Sequence, residues 1–344
     1  MDETLAPGSR LPTEKQLSKS LSVGQVTLRS ALARLEAEGL VERVRSRGTF
    51  VTERGRRRTF LLIQPDGTEN LETPSRYIAA GLAEEAEKRS VVLEICPESL
   101  FVSFSAEERR EIIRSRSISG IVLETGHRRI SEKVAAAVKE LNLPVVVPHG
   151  ISNDVEWGFL TLKTDEKSAF KEAYSYLKRH GHKRIASLFL QLPGENSNEL
   201  RGFSPDELKA FFVSEKLEDS CLLVAQLLNS SEDIRLQVKN WMELPEPPTA
   251  IVCHSDRVAM RVYGACRELG IKIPQALSVM GYCNYPGGQL LLPPLTTIDT
   301  NLKNCAKLAL EQLLDAASWF PAGKNKTVFT PHTLIERGSV GIKK

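Results

Sequence analysis

From Thr59 onward the 344-residue chain alternates short, continuously apolar runs with longer amphipathic ones, and this rhythm limits the fold more than any other feature. The apolar runs are Phe60–Gln64, Val91–Cys96, Ile118–Glu124, Val145–His149, Phe159–Leu162, Arg184–Leu190, Ala250–His254 and Ser278–Tyr282. Runs of this kind mark parallel strands covered on both faces. Between them, Tyr77–Arg89, Ala106–Ser115, Glu166–His180, Asp256–Leu269 and Leu302–Ala316 place apolar residues at helical spacing. Repeated strand–helix–strand units predict an α/β fold of doubly wound parallel sheets, and roughly 285 residues of it predict two lobes. The first lobe is expected at about 59–163 plus 285–300. The second is expected at about 164–284 plus 301–326, with a final strand near 327–340.

Residues 1–51 follow another pattern. Leu11-Pro12-Thr13-Glu14-Lys15-Gln16-Leu17 reads as a helix start, with Thr13 and Gln16 at capping-box spacing. A second helix is predicted from Ser22 or Gly24 to Glu38, with Leu28, Ala31, Leu32 and Leu35 on one face and Gly39 ending it. Leu40–Val44 alternates like a strand, Ser46-Arg47-Gly48 turns, and Thr49–Val51 returns. Two helices and a hairpin predict a winged helix-turn-helix. Thr52–Arg58 is polar and basic and reads as a linker. The first 58 residues carry twelve basic against seven acidic side chains, whereas the remainder is nearly balanced at 34 against 36. A small basic head on a neutral body points to an anionic partner, nucleic acid above all.

Several classes are excluded. The longest apolar runs are far below the ~20 residues that span a bilayer, and the acidic Met1-Asp2-Glu3 start has no apolar leader, so a cytosolic protein with no membrane partner is expected. The six cysteines form no C-x-x-C pair, which predicts reduced thiols. Cys253-His254 is adjacent rather than at zinc-ligand spacing, so neither metal nor cofactor is expected. The chain has no G-x-S-x-G, no phosphate-binding P-loop and no G-x-G-x-x-G after a strand, so an enzyme is not expected.

At this point specific residues resemble known families. Pro7-Gly8-Ser9-Arg10-Leu11-Pro12-Thr13-Glu14, Leu21-Ser22-Val23, Thr27–Leu32, Leu35–Val41 and Arg47–Val51 resemble the GntR-type winged helix-turn-helix. Ile118–Leu123, Leu143–Val146, Gly181–Ala186, Asp256–Ala259, Leu269–Pro274, Leu295–Ile298 and Leu334–Ser339 resemble the LacI-type, periplasmic-binding-protein-like core. The combination is similar to regulators of the arabinose-repressor type. The resemblance implies domains at 1–51 (head), 52–58 (basic linker) and 59–344 (effector binding and dimerisation). It also implies a DNA-binding transcriptional repressor with a small-molecule, sugar-related effector between its lobes.

For the head, the resemblance implies that the second helix reads double-stranded operator DNA in the major groove. Arg29 suits a guanine or phosphate, Gln25 an adenine, and Val26 a thymine methyl, with Thr27 beside them. Arg10, Thr13 and Lys15 fall at phosphate and groove contacts, and Arg47 and Gly48 at the wing tip, where glycine permits close approach. Two departures stand out. The usual Ser-Arg-x-Thr opening is Gly24-Gln25-Val26-Thr27, and only six residues precede Pro7 where the family has a helix. The first helix is therefore expected to be missing, with the true start upstream of Met1, and Leu28, Leu32 and Leu35 are expected to lack a packing partner.

For the body, ligands of such sheets bind at the carboxyl ends of the strands. That selects Asp66, Glu124, His149, Asp165, Asp256 and Asn284 as effector contacts. The family's arginine and aspartate sugar anchors are replaced by Glu199 and Cys283, with Arg201 two residues displaced as a substitute. The expected molecule is a ligand-responsive repressor and homodimer. The alternatives are a solute-binding protein and a regulator whose shortened head no longer binds DNA.

Overall fold

The computed structural model describes residues 5, 8–37, 40–44, 47–51, 58–66, 74–126, 129–150, 157–190, 200, 203–227, 230–320 and 326–343. The head contains α1 (Glu14–Ser20), α2 (Gln25–Ala37) and the hairpin β1 (Val41–Val44) and β2 (Gly48–Val51). The capping box forms as its residues dictate: Thr13 Oγ1 accepts from the Gln16 backbone, and Gln16 Oε1 accepts from Thr13 N at 2.9 Å. Residues 8–11 run along β2, with Leu11 N donating to Thr49 O at 2.8 Å and Val51 N to Ser9 O at 2.9 Å. The expectation that the α2 face lacks a partner is corrected. Leu28 and Leu32 are buried with Val41, under α1 and β1, and Leu35 is half-buried.

The body has two six-stranded sheets. The first lobe takes β3 (Thr59–Gln64), α3 (Pro74–Lys88), β4 (Val92–Pro97), α4 (Glu98–Ser103), α5 (Ala106–Ser115), β5 (Ile118–Leu123), α6 (Glu132–Lys139), β6 (Val145–Val147) and β7 (Leu160–Thr164). The second takes α7 (Glu166–Arg179), β8 (Ile185–Leu190), α8 (Pro205–Ser214), β9 (Val224–Leu227), α9 (Ser231–Met242), β10 (Ala250–Cys253), α10 (Asp256–Glu268), β11 (Ser278–Tyr282) and β12 (Thr296–Asp299). Then come α11 (Leu302–Leu314), β13 (Thr327–Thr330) and β14 (Thr333–Ile335). The strand orders are β13-β7-β6-β5-β3-β4 and β14-β12-β11-β10-β8-β9, parallel except that β14 runs antiparallel to β12.

This topology corrects the expected division of the last sixty residues. The 285–300 stretch belongs to the second lobe, because β12 pairs with β11. α11, expected in the second lobe, packs on α3 of the first, so closely that a Cβ on Gly81 would lie 2.9 Å from Ala306 Cβ. The final strand is two strands, β13 closing the first sheet and β14 the second. The chain thus passes between sheets after β7, after β12 and between β13 and β14. At the first and third passages the Thr164 and Thr330 hydroxyls meet at 3.2 Å.

One apolar cluster continues from Phe60, Leu62 and Ile78 of the first lobe to Phe170, Tyr174 and Tyr282 of the second. Two more fill the outer face of each sheet. Tyr77 on α3 stacks on Tyr285, beyond β11, with ring centroids 5.1 Å apart and planes inclined at 17°.

Candidate functional site

The first turn of α2 presents Gln25, Val26, Thr27 and Arg29 to solvent while Leu28 points inward. Val26 is 84% exposed, an unusual place for an apolar side chain with no partner surface. Arg29 is held rather than loose: its Nε donates to Glu14 Oε2 at 2.8 Å, and Arg43 reaches the Arg29 carbonyl at 3.5 Å. The exposed Lys15 and the capping Thr13 flank the start of α1. At the wing, Gly48 has φ +117, and a Cβ there would lie 2.7 Å from Arg10 Nε, so the glycine lets the Arg10 guanidinium lie on the hairpin backbone. Arg47 sits 6.0 Å above the Phe50 ring. The expected DNA-facing residues thus lie on three features, the α1 start, the α2 start and the wing.

In the body, the strand ends bring fewer free polar groups together than expected. Asp66 accepts from Ser99 N at 3.0 Å and from Ser99 Oγ at 2.6 Å, tying the loop after β3 to α4. Asp165 caps α7, accepting from Ser168 N at 3.1 Å. Asp256 is fully buried, accepting from Tyr285 N and Thr297 Oγ1, each at 2.6 Å. Burial is the chief cause that pushes its carboxyl up to about 7, against the pull of those donors, the Tyr282 backbone and the Arg337 charge. Asn284 uses both ends of its amide, donating to Asp299 Oδ2 at 3.0 Å and accepting from Arg337 Nη2 at 2.7 Å.

Glu124 and His149 lie at the first lobe's strand ends, both buried and both with partners of their own. Glu124 Oε1 accepts from Gly126 N at 2.8 Å. The His149 backbone N–H is directed at Cys305 of α11, a thiol that burial pushes up to about 12 within the field of Glu124. Arg201, with Glu199, lies outside the described residues.

Comparison with known proteins finds matches for the head and for the later part of the body. Residues 1–51 match the bacterial regulatory proteins of the gntR family, and residues 174–340 match the periplasmic binding protein-like domain. The chain is 22% identical to the arabinose metabolism transcriptional repressor of Geobacillus stearothermophilus, over 97% of this chain and 92% of that protein. The body's fold is that of a LacI family transcriptional regulator from Enterococcus faecium with bound ribose, at TM-score 0.64 and 20% identity over 83% of this chain and all of that one. It is likewise that of the lac repressor dimer bound to operator and an anti-inducer, at TM-score 0.62 and 15% identity over 83% and 96%.

Within the body, sequence reasoning missed Tyr77, Tyr285 and Arg337. Nothing in a single-sequence pattern distinguishes a tyrosine that stacks across lobes from one in a core. Arg337 was legible only as part of the Leu334–Ser339 motif, not as the partner of Asn284. Its Nη1 also donates to Leu295 O at 2.7 Å. Among the described residues no helix is long and apolar enough to cross a membrane.

Proposed function

We propose that the chain is a cytoplasmic, ligand-responsive transcriptional repressor and not an enzyme. Residues 1–51 read DNA, 52–58 link, and 59–344 bind an effector and pair two copies into a homodimer. Gln25, Val26, Thr27 and Arg29 face the major groove, Arg10, Arg47 and Gly48 approach along the wing, and Thr13 and Lys15 seat the start of α1 on phosphates. A small-molecule effector binds between the lobes over Glu124 and His149. It changes operator affinity by favouring one lobe arrangement over another.

The observation that carries this reading is the α2 start: three polar side chains and an 84%-exposed valine turned to solvent, with Leu28 and Leu32 buried behind them. A folded surface that leaves an apolar side chain projecting among polar hydrogen-bonding groups suits base edges and thymine methyls.

The test is selection of a site from randomised duplex, followed by fluorescence anisotropy against salt. Recovery of a two-fold symmetric site is expected, with affinity falling by ~0.9 log units per phosphate contact per log unit of salt. Arg29→Ala is expected to cost about 1–3 kcal/mol if it reads a base. No selected site, or salt-independent binding, overturns the reading.

A further inference from the structure

Arg58 stands between the basic segment 52–57 and β3, and its guanidinium crosses 256 positions of sequence. Its Nη1 donates to the carbonyl of Leu314 at 2.6 Å. Leu314 is the last residue of α11. Carbonyls of a last helical turn lack intrahelical partners and lie at the negative end of the helix dipole. A cation placed there meets an orphan acceptor and a favourable field together. The contact therefore fixes the residue from which the linker departs onto the end of a helix.

That helix is itself held along its length. Gly81 and Ala306 leave no slack between α3 and α11, and Arg89 Nη2 donates to Glu311 at 2.7 Å. Its opposite end is tied to the loop after β11. Asn301 caps α11 with φ 53, and its N–H donates to Asp299 Oδ1 at 2.7 Å. Asp299 Oδ2 takes the Asn284 amide, and Asn284 takes Arg337. In that loop Cys283 and Asn284 have φ 98 and 56, a left-handed conformation that costs non-glycine residues free energy and persists only where the surroundings hold it.

We propose that Arg58 is a positioning residue for DNA recognition, a clamp that sets the direction in which the linker and head leave the body. The helix it grips carries the state of the loop after β11 to that clamp. This rests on the reading of the chain as a dimeric operator-binding regulator. In such a dimer, two heads meet half-sites a fixed distance apart, in steps of about 10 base pairs. The second head gains from tethering only where the linker geometry lets it reach. A held exit makes that gain depend on half-site spacing, and a released one removes the dependence.

The experiment uses the full chain and a half-site selected by the wild type from randomised duplex. Palindromes of that half-site are varied in spacing across one helical turn, and Kd is measured by fluorescence anisotropy for wild type, Arg58→Ala and Arg58→Lys. The wild type is expected to vary by about tenfold or more between best and worst spacing. Arg58→Ala is expected to flatten that profile while leaving single half-site affinity and body Tm unchanged. Arg58→Lys, which can still donate one charged hydrogen bond, is expected to restore part of the profile.

An unchanged profile in Arg58→Ala overturns the clamp, as does a wild type without spacing preference. Equal weakening at every spacing with a lowered Tm overturns it too, because that is the signature of a contact that only stabilises the body. In those cases half-site binding still stands and the regulator reading survives. Failure of the wild type to bind any duplex removes both.

Discussion

Thr297 donates its hydroxyl to Asp256 at 2.6 Å in a site where Asp256 has no solvent exposure. The carboxylate is a fastening inside the second lobe, joining the start of α10 to β12 and, through Tyr285 N, to the segment after β11. The donors compensate burial only in part, which is why the group titrates at about 7 rather than in the ordinary carboxylate range. Between about 4 and 7 the native state holds a proton that the unfolded state has lost. Stability is thus greatest below the unfolded value and falls as pH rises through that window, by about 4 kcal/mol at most. Asp256→Asn is expected to flatten this dependence, measured by urea unfolding at a series of pH values. A slope unchanged in the variant assigns it to another group.

Gly281 offers a sharper probe of the same fastening. A Cβ at this position would lie 2.1 Å from Asp256 Oδ1 and 2.8 Å from Leu295 Cδ2. Both neighbours are buried and neither can swing into solvent. Gly281→Ala is expected to destabilise the body by about 1–3 kcal/mol or more through overpacking, seen as a lower Tm with the head unaffected. Gly264→Ala, where nothing lies within 4 Å of the added carbon, is the matched control.

The head rests on far less buried surface than the body. Leu28, Leu32 and Val41 are its described buried apolar side chains, whereas the body fills three clusters. Small cores are marginal, and local opening free energies follow contact density. Faster amide exchange is expected across residues 8–51 than in the sheets of the body. Leu32→Ala, at about 2–5 kcal/mol, is expected to abolish the head's protection while leaving the body's intact. Equal loss in both would show that head and body unfold as one unit.

Much of this architecture was legible in the sequence because period and caps are local. The Thr13–Gln16 box, α5, β11 and the α2–hairpin order follow from residues a few positions apart. What was not legible is pairing across distance. A buried apolar run looks the same in either sheet, so β12 and α11 could not be assigned to their lobes from pattern alone. Likewise, an aspartate after a strand reads as a ligand contact until its partner is known. Ser99 for Asp66, Ser168 for Asp165 and Thr297 for Asp256 are what turned three candidate contacts into fastenings.

Those fastenings bear directly on the effector. A sugar is held by paired charged or amide groups that satisfy its hydroxyls, and each unmatched buried polar group costs about 1–3 kcal/mol. Here Asp66, Asp165, Asp256 and Asn284 already accept or donate within the protein. The Tyr77–Tyr285 stack joins the lobes, a contact of a kind worth about 0.5–1.5 kcal/mol. Weak or absent binding of simple pentoses and hexoses is therefore expected, whereas a ligand bearing donors or positive charge suits the buried Glu124 better than an anionic sugar phosphate does. Calorimetry of the full chain with sugars, sugar phosphates and amines decides the matter, with Glu124→Gln and Arg201→Ala alongside. Micromolar binding of an ordinary sugar that Arg201→Ala abolishes would reverse the expectation and make Arg201 the displaced anchor. Amine binding lost in Glu124→Gln and kept in Arg201→Ala would establish the acidic floor.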